Sequence, residues 1–296
     1  MKIIITGATS FIGSSLTKRL IADGHDVYAV VRPNSVHGSR IEGTGAKIIY
    51  CDITDIEKLL QAKTLYDSDI WFQFGWGGSG SNARLDAELQ HRNVTDCEHS
   101  LDVAAQLGCK KYIFSGSQAE YGICHEKTDE NHKCLPLSEY GRAKLKFHDI
   151  ASDKCKKLGM QYYHLRIFSV YGPNDHEHSL VSSCIKNFKS NKDMEFGACE
   201  QKWNFIYIDD CVDAIARLAV CDAEEGIYNI ASDDTRVLKE FISEIKEVIG
   251  GDGTLKYGVR KPNAEGDASL IPDIHKIKNA LNWSAAVSFR EGILRC

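Results

Sequence analysis

The chain has 296 residues, 43% of them hydrophobic, which is enough for one large α/β domain or two smaller ones. Its formal net charge is −5, so no basic excess is available to neutralise the phosphates of a nucleic acid. No apolar run approaches the roughly 18 residues that span a bilayer. Residues 1–7 pass directly into a strand-like run and leave no room for a signal peptide. We therefore expect a cytoplasmic enzyme with neither a nucleic-acid nor a membrane partner.

The eleven cysteines are scattered along the chain and include no C-x-x-C pair. An odd number of cysteines without a secretory signal favours free thiols in a reducing compartment. The nearest metal-like element is His176-Glu177-His178, whose two histidines point to opposite sides of an extended segment. We therefore predict no metal site.

Short β-branched runs alternate with amphipathic segments over the first 168 residues. The predicted strands cover residues 2–5, 26–31, 46–50, 70–74, 111–115 and 161–167. The predicted helices cover residues 13–22, 56–60, 85–107 and 139–158. Parallel strands need crossover connections, so this alternation predicts an α/β fold with a doubly wound parallel sheet.

After residue 168 the pattern changes. Residues 180–188 and 237–249 predict helices, and residues 205–208 and 227–230 predict strands that return to the sheet. We therefore predict that residues 1–168 with 203–232 form a first domain. Residues 169–202 with 233–296 would then form a smaller C-terminal α/β lobe.

A glycine-containing turn links the first predicted strand to the first predicted helix. Glycines there permit a tight turn and the close approach of a pyrophosphate, whose charge then lies at the helix N-terminus. A purely structural turn is the weaker alternative, because this turn follows the first strand at the extreme N-terminus. The residues predicted to bind a dinucleotide here are Gly7, Thr9, Ser10, Phe11, Ile12 and Gly13.

The end of the second predicted strand is where a dinucleotide site contacts the adenosine ribose. A carboxylate there hydrogen-bonds the 2′-OH of NAD, whereas an arginine pairs with the 2′-phosphate of NADP. Arg32 stands at this place, which favours NADP(H), with NAD(H) as the alternative and a solvated surface arginine as the interpretation without function. After the third strand, Asp52 can accept a hydrogen bond from the adenine amino group and Ile53 can cover the ring.

Tyr140 and Lys144 lie four residues apart in a predicted helix, and therefore on one face of it. An ammonium near the phenol favours its ionised form and lowers a pKa that is ordinarily about 10. Such a phenol can exchange a proton with a carbonyl or alcohol oxygen during hydride transfer. Ser117 lies upstream, just beyond a predicted strand, and its presence supports Tyr140 and Lys144 as the catalytic pair.

In sum, the chain resembles the extended short-chain dehydrogenase/reductase family, in its nucleotide-sugar epimerase/dehydratase/reductase branch. The resemblance implies a Rossmann-type fold, a first domain that binds the dinucleotide and a second lobe that binds a nucleotide sugar. It runs nearly end to end, through the glycine turn, Asp52-Ile53, Asn93-Val94, Ser115-Gly-Ser117-Gln-Ala-Glu-Tyr121-Gly122, Tyr140 with Lys144, Leu165-Arg166, Val170-Tyr171-Gly172-Pro173, Phe205-Ile-Tyr-Ile-Asp-Asp210 and Tyr228-Asn229.

The resemblance also implies roles for single residues. Ser117 and Tyr140 would hydrogen-bond the reacting sugar oxygen, and Lys144 would also hold the nicotinamide ribose. Ile167 would follow the strand on the nicotinamide side. Phe74 would join the cofactor site from a segment that departs from the His-Leu-Ala-like pattern common in the family. The usual homodimer packs helices 85–107 and 139–158 against their mates.

Departures from the family pattern bear on the substrate. Gln118 and the alanine after it replace the Asp-Glu pair that drives water elimination in dehydratases, so dehydration is not expected. Trp203 stands where many epimerases have an arginine that grips the diphosphate, so Arg84 and Lys202 become candidates for that task. Ser169 would face the diphosphate. We assign these five residues to the nucleotide-sugar site.

Two enzyme hypotheses remain, with a third from another class. In the first, NADPH gives hydride to a 4-keto (6-deoxy) sugar nucleotide while Tyr140 donates the proton, and Arg32 favours this reductase because NADPH is the usual cellular reductant. In the second, tightly held NAD takes a hydride and returns it to the other face of the sugar, which is 4-epimerisation. The third, a non-catalytic NADP-binding sensor or scaffold, is disfavoured because Ser117, Tyr140 and Lys144 are all present.

Overall fold

The structure is a computed structural model that describes residues 1–80, 82–260 and 268–296. A seven-stranded parallel sheet with the order β10-β6-β5-β4-β1-β2-β3 forms its centre. In chain order the strands are β1 Lys2–Thr6, β2 Asp26–Val31, β3 Lys47–Tyr50, β4 Ile70–Gln73, β5 Lys111–Ser117, β6 Gln161–Ile167, β7 Ser169–Tyr171, β8 Met194–Glu195, β9 Lys202–Tyr207, β10 Gly226–Ile230, β11 Thr235–Val237 and β12 Leu255–Lys256.

The described residues form eight α-helices and several short 3₁₀ helices. The α-helices are α1 Phe11–Ala22, α2 Ala87–Gln106, α3 Glu139–Leu158, α4 Leu180–Lys189, α5 Ile208–Val220, α6 Leu238–Ile249, α7 His275–Leu281 and α8 Phe289–Leu294. The 3₁₀ helices cover Gly38–Arg40, Ile53–Gln61, Lys63–Leu65, Ala83–Leu85 and Gln118–Glu120. None of the helices in this part of the chain is long and apolar enough to cross a membrane.

Both faces of the central sheet are covered, as a parallel sheet requires. Successive side chains of β1 point to opposite faces. Ile3 and Ile5 therefore pack into the apolar cluster that includes α1 and α5, whereas Ile4 packs into the cluster that includes α2 and α3. All three are fully buried. This two-layered covering confirms the predicted doubly wound α/β fold.

Capping side chains fix where the helices next to the cleft begin. Ser10 accepts a hydrogen bond from the Gly13 N–H at the start of α1, and Ser138 accepts one from the Gly141 N–H at the start of α3. Asp86 does the same for α2, which therefore begins at residue 87 and not at the predicted residue 85. A side-chain oxygen at this position satisfies an N–H that has no partner within the helix. These caps set the entry direction of each helix.

Among the described residues after residue 168, one strand returns to the large sheet. Strand β10 pairs in parallel with β6, but β9 pairs with β7 and β11 in a separate three-stranded sheet. Strand β9, which we assigned with residues 203–232 to the first domain, therefore hydrogen-bonds to strands that we assigned to the second lobe. The division into two domains stays a prediction, and residues 261–267 of the second lobe lie outside the described residues.

Helix α5 is the main element that the sequence analysis did not anticipate. The strand predicted for residues 205–208 ends at Tyr207, and α5 starts at Ile208. The helix packs against α1, where Arg19 and Asp213 form an ion pair with an Nη1–Oδ1 distance of 2.6 Å. Its buried side chains recur at helical spacing, which is the signal that identifies it.

Candidate active site

A cleft of about 350 Å³ opens at the carboxyl ends of β1, β4, β5 and β6. The strand order reverses between β1 and β4, and ligands of open α/β sheets bind at such a place. The residues that line the cleft are Ser10, Phe11, Ile12, Phe74, Trp76, Ser79, Arg84, Ser115, Gly116, Ser117, Gln118, Tyr140, Lys144, Ile167, Phe168, Ser169, Val170 and His176.

The glycine turn brings the start of α1 against the end of β4. Gly7 has a φ of 65°, and a Cβ on it would lie 2.5 Å from the Phe74 carbonyl carbon. A Cβ on Gly13 would lie 2.2 Å from the Gly7 carbonyl oxygen. Ser10, in place of a family glycine, has a φ of −68°, so its side chain causes no strain. The turn leaves the first N–H groups of α1 at the cleft, where an anionic group binds favourably.

The segment after β2 closes over the other end of this turn. The Thr9 hydroxyl lies 3.0 Å from the Ser35 hydroxyl, and the Arg40 guanidinium donates to the Thr9 carbonyl oxygen at 3.3 Å. Arg40 also donates to the Asn174 carbonyl oxygen at 3.0 Å. Arg32 is exposed beside this segment, at the end of β2. Thr9 therefore contacts the segment after β2, to which Arg32 also belongs. Neither Thr9 nor Arg32 lines the cleft.

The residues predicted to hold the adenine lie beyond the cleft lining. The Asp52 carboxylate caps a 3₁₀ helix and accepts hydrogen bonds from the Thr54 N–H and hydroxyl, both at 3.2 Å. Ile53 reaches the loop after β4, because its Cδ1 would lie 3.2 Å from a Cβ on Gly75. Both residues therefore adjoin the glycine-turn side of the cleft.

The three predicted catalytic residues come from two elements that meet at the cleft. Ser117 ends β5, and its hydroxyl accepts a hydrogen bond from the Ala119 N–H at 3.2 Å. Tyr140 and Lys144 lie in the first turns of α3. The Lys144 ammonium nitrogen donates to the Ser115 carbonyl oxygen at 2.6 Å, which ties the helix to the strand end.

Aromatic rings surround the Lys144 side chain. Its Nζ lies 3.9 Å from the ring centroid of Trp76, 4.5 Å from that of Phe114 and 5.5 Å from that of Tyr140. Burial first, and the positive charge of Arg84 to a smaller extent, lower the pKa of Lys144 to about 7. Ring faces attract the ammonium but replace little of its hydration. The ammonium is therefore close to its titration point at neutral pH.

The loop between β4 and α2 adds two side chains next to Tyr140. The Trp76 ring meets the Tyr140 ring edge-on at a centroid distance of 6.3 Å. The guanidinium carbon of Arg84 lies 4.4 Å from the Tyr140 ring centroid. The sequence analysis assigned Arg84 to the substrate site but gave no role to Trp76. Trp76 lies in the segment that departs from the family pattern, and this departure was the signal that could have identified it.

The rest of the cleft lining includes residues that the sequence analysis named and residues that it missed. Gln118, Ser169 and Ile167 line the cleft, at or just after the ends of β5 and β6, and their roles stay predictions. Ser79, Phe168, Val170 and His176 line it without having been singled out as site residues. Across the described residues, no group of three His, Cys, Asp or Glu side chains is arranged to hold a metal ion.

Lys202 and Trp203 lie outside the cleft lining. Lys202 is exposed at the start of β9, and its backbone N–H donates to the Ser269 hydroxyl at 3.2 Å. Trp203 packs against Phe205 with ring centroids 6.4 Å apart. Both belong to the three-stranded sheet, so the geometry gives neither of them a contact with the residues around Tyr140.

A buried ionic group lies behind Ser117. The Glu120 carboxylate accepts hydrogen bonds from the Ser117 N–H at 2.7 Å and the Arg166 Nε at 3.0 Å, and lies 2.8 Å from the His164 Nε2. Burial raises the pKa of Glu120, but His164, Arg166 and the Ser117 N–H outweigh it and bring that pKa to about 2. The carboxylate is therefore ionised, and it fixes the backbone of Ser117.

A model of the NAD dependent epimerase/dehydratase family matches residues 3–231. The chain belongs to this family. It is 28% identical to a putative UDP-glucose 4-epimerase of Methanocaldococcus jannaschii, over 99% of this chain and 96% of that protein. It is 26% identical to the CDP-abequose synthase of Salmonella muenchen, over 99% of this chain and 95% of that protein.

Solved structures show the same fold. The UDP-glucose 4-epimerase of Thermotoga maritima, in a structure with UDP-glucose, has a TM-score of 0.88 and 24% identity, covering 100% of this chain and 97% of that one. The UDP-glucuronic acid 4-epimerase of Bacillus cereus, in complex with UDP-glucuronic acid and NAD, has a TM-score of 0.86 and 25% identity, with the same coverage. The predicted family, the Rossmann-type fold and the enzyme class are thus confirmed. The roles of single residues stay predictions.

Proposed function

We propose that this enzyme reduces a 4-keto (6-deoxy) sugar nucleotide with NADPH. Support for redox chemistry at a sugar carbon comes from the convergence of Ser117, Tyr140 and Lys144 at one edge of the sheet, facing the glycine turn across the cleft. A dinucleotide fits this turn, because the close packing at Gly7 and Gly13 makes the turn tight and Ser10, Phe11 and Ile12 at the start of α1 line the cleft. When bound, the nicotinamide supplies the hydride.

The chain's own residues handle the oxygen and the proton. The Ser117 hydroxyl donates a hydrogen bond to the sugar carbonyl oxygen and orients it. Tyr140 gives its phenolic proton to that oxygen as the carbon is reduced, which leaves an alcohol and a tyrosinate. The Lys144 ammonium stabilises the tyrosinate and holds the ribose hydroxyls, and a proton from solvent then restores the phenol.

The observation that carries the preference for NADPH is a pair of arginine side chains near the end of β2. The pKa of His37 is lowered first by the charge of Arg40, then by burial, and also by His176 and Arg32. Both arginines therefore act on one small region next to the glycine turn. A 2′-phosphate brings the negative charge that such a region attracts.

A second candidate is 4-epimerisation with tightly held NAD. It is favoured by the solved neighbours, among them the Bacillus cereus 4-epimerase in complex with NAD. The same Tyr140 would first accept the sugar proton and then return it. The two candidates differ in whether the cofactor leaves after each turnover.

The identity of the cofactor tests the proposal. We would denature the purified protein, analyse what it releases, and titrate the cofactor-free protein with NADPH and NADH. An exchangeable site that prefers NADPH, followed by reduction of a 4-keto sugar nucleotide, supports the reductase. Stoichiometric NAD that resists dialysis overturns it in favour of the epimerase. Binding of neither cofactor overturns both.

The predicted homodimer belongs to the same proposal. It would pack the outer faces of α2 and α3 against those of a second copy. Sedimentation velocity measures it, and a monomer at working concentration would contradict it. Cytoplasmic residence likewise remains a proposal, which fractionation of the source cells tests.

A further inference from the structure

We propose that Arg84 is a positioning residue for Tyr140, placing a second basic side chain against the tyrosine ring so that its positive charge stabilises the tyrosinate. The inference rests on the proposed function, because it concerns the tyrosine that exchanges the proton. It assigns Arg84 a task different from binding the diphosphate of the substrate. Both tasks are separable by experiment.

The distances place Arg84 closer to the ring than Lys144. The guanidinium carbon lies 4.4 Å from the ring centroid, against 5.5 Å for the Lys144 Nζ. A planar guanidinium stacks on an aromatic face and keeps its charge at every physiological pH. Lys144, in contrast, has its pKa lowered by burial to about 7. Above neutral pH, Arg84 is therefore the cation that still faces Tyr140.

The loop that carries Arg84 is fixed by one buried side chain of α2. Gln90 is 1% exposed, and its Nε2 donates to the Gly78 and Ala83 carbonyl oxygens, both at 2.9 Å. Its Oε1 accepts a hydrogen bond from the Trp76 Nε1 at 2.8 Å. One side chain thus holds both Trp76, beneath Lys144, and the residue that precedes Arg84.

Close packing keeps the middle of this loop in place. Gly78 has a φ of +70°, and a Cβ on it would lie 2.5 Å from the Leu89 Cδ2. The Asn93 side chain accepts from the Gly77 N–H at 2.9 Å and donates to the Gly77 carbonyl oxygen at 2.8 Å. The position of Arg84 over Tyr140 is therefore built into the fold.

A cation at this distance favours the ionised phenol over the neutral one. Removing it moves the titration midpoint of Tyr140 upward. In the reduction direction, Tyr140 must be protonated, so activity extends to higher pH. In the oxidation direction, Tyr140 must be ionised, so the onset of activity moves to higher pH. Both directions give a shift of the same sign.

The test measures the titration of Tyr140 directly. The ultraviolet absorbance of tyrosinate is followed against pH in the protein without cofactor or substrate, and the titration of the Tyr140→Phe variant is subtracted. Burial raises the pKa of eight other tyrosines, so they titrate late and interfere little. The same subtraction is made in each variant background.

We compare Arg84→Met, Arg84→Lys and the control Arg290→Met, which removes an exposed arginine paired with Glu247. We expect Arg84→Met to raise the titration midpoint of Tyr140 by about one pH unit. Arg84→Lys should bring the midpoint most of the way back to that of the unsubstituted protein, and Arg290→Met should leave it unchanged. An unchanged midpoint in Arg84→Met overturns the proposal. Equal shifts in the Met and Lys variants also overturn it, because they indicate that the loop, not the charge, is responsible.

The outcome is independent of the proposed reaction. The titration needs neither cofactor nor turnover, so an upward shift upholds the role of Arg84 even if no nucleotide sugar is turned over. If Arg84→Met raises the KM for a nucleotide sugar but leaves the Tyr140 midpoint unchanged, Arg84 binds substrate only. That result overturns the inference and retains the proposed function.

Discussion

Buried charged side chains lie on both sides of Ser117. The two sides differ in the groups that surround the buried charge. Behind Ser117, the Glu120 carboxylate is surrounded by His164, Arg166 and a backbone N–H. On the cleft side, the Lys144 ammonium is surrounded by aromatic rings and one carbonyl oxygen. The first charge is compensated by opposite charge, and the second is not compensated to the same degree.

The difference appears in what the pKa shifts do to the charge, because both pKa values are lowered, which favours the charged form of the carboxyl but the neutral form of the amine. Glu120 has a pKa of about 2 and keeps its charge over the whole physiological range. Lys144 has a pKa of about 7 and changes its charge within that range. A compensated charge maintains a structure, whereas a charge near its titration point takes part in proton transfer. Substitutions at four residues test this contrast, with expected effects that decrease from Glu120 through Tyr140 and Lys144 to Arg32.

Removing the Glu120 carboxylate from its group with His164 and Arg166 has the largest expected effect on stability. Glu120→Ala leaves the buried Arg166 and His164 without their carboxylate, and we expect the free energy of unfolding to fall by about 3–5 kcal/mol. Denaturant titration measures it. The control Glu88→Ala removes an exposed pair with Arg92 and should cost less than about 0.5 kcal/mol. Equal losses in the two variants would contradict the contrast.

Removing the phenol affects turnover and leaves the fold intact. Tyr140→Phe should lower kcat by roughly two orders of magnitude, the scale of lost general-acid catalysis. Tyr50→Phe, at a tyrosine that is 67% exposed, serves as the control. Steady-state kinetics with unfolding curves measure both quantities. Near-normal turnover in Tyr140→Phe would refute the catalytic assignment.

The uncompensated lysine makes stability depend on pH. Between the folded pKa of about 7 and the ordinary lysine pKa of 10.5, the unfolded chain binds a proton at Lys144 that the folded chain does not. The free energy of unfolding, relative to Lys144→Met, therefore rises with pH in this window, by up to about 1.4 kcal/mol per pH unit. Below pH 7 the folded chain carries Lys144 in its charged form, so the full cost of burying that charge lowers the free energy of unfolding. Denaturant curves for both proteins at several pH values test this, and a flat difference would contradict it.

The exposed charge of Arg32, outside the lining of the cleft, has the smallest expected effect. Arg32 is exposed, so its pairing with a phosphate is partly screened. We expect Arg32→Ala to weaken NADPH binding by about tenfold and to change NADH binding little, as isothermal titration would show. The control is Arg92→Ala, at an exposed residue of α2. Equal losses for the two cofactors would show that Arg32 does not contact the 2′-phosphate.

Local patterns in the sequence were sufficient to predict the strands of the central sheet and the placing of Tyr140 and Lys144 on one helix face. The β-branched run at Ile3 to Ile5 identifies a strand buried on both faces, and a spacing of four places Tyr140 and Lys144 on one helix face. Both depend only on neighbours within one element. The strand edges then bring Ser117 to the same cleft, because parallel strands end together.

Contacts between elements were beyond such patterns. Arg84 reaches Tyr140 only because Gln90 folds the intervening loop, and no periodicity encodes that fold. Lys202 was assigned to the substrate by its neighbourhood in the chain, whereas β9 pairs with β7 and β11 and places it outside the lining of this cleft. The start of α5 at Ile208 was missed because the apolar run of β9 continues into the helix without a break.

The late arrival of β10 has a consequence for synthesis on the ribosome. Strand β6 ends at residue 167, but its outer neighbour β10 is complete only at residue 230. At a translation rate of ~5–20 residues per second, the outer edge of β6 stays unpaired for roughly 3–13 s before β10 has been synthesised. Unpaired strand edges are templates for association with other chains. Nascent copies on one messenger are therefore most prone to pair with one another during this interval, and chaperone contact there should matter most.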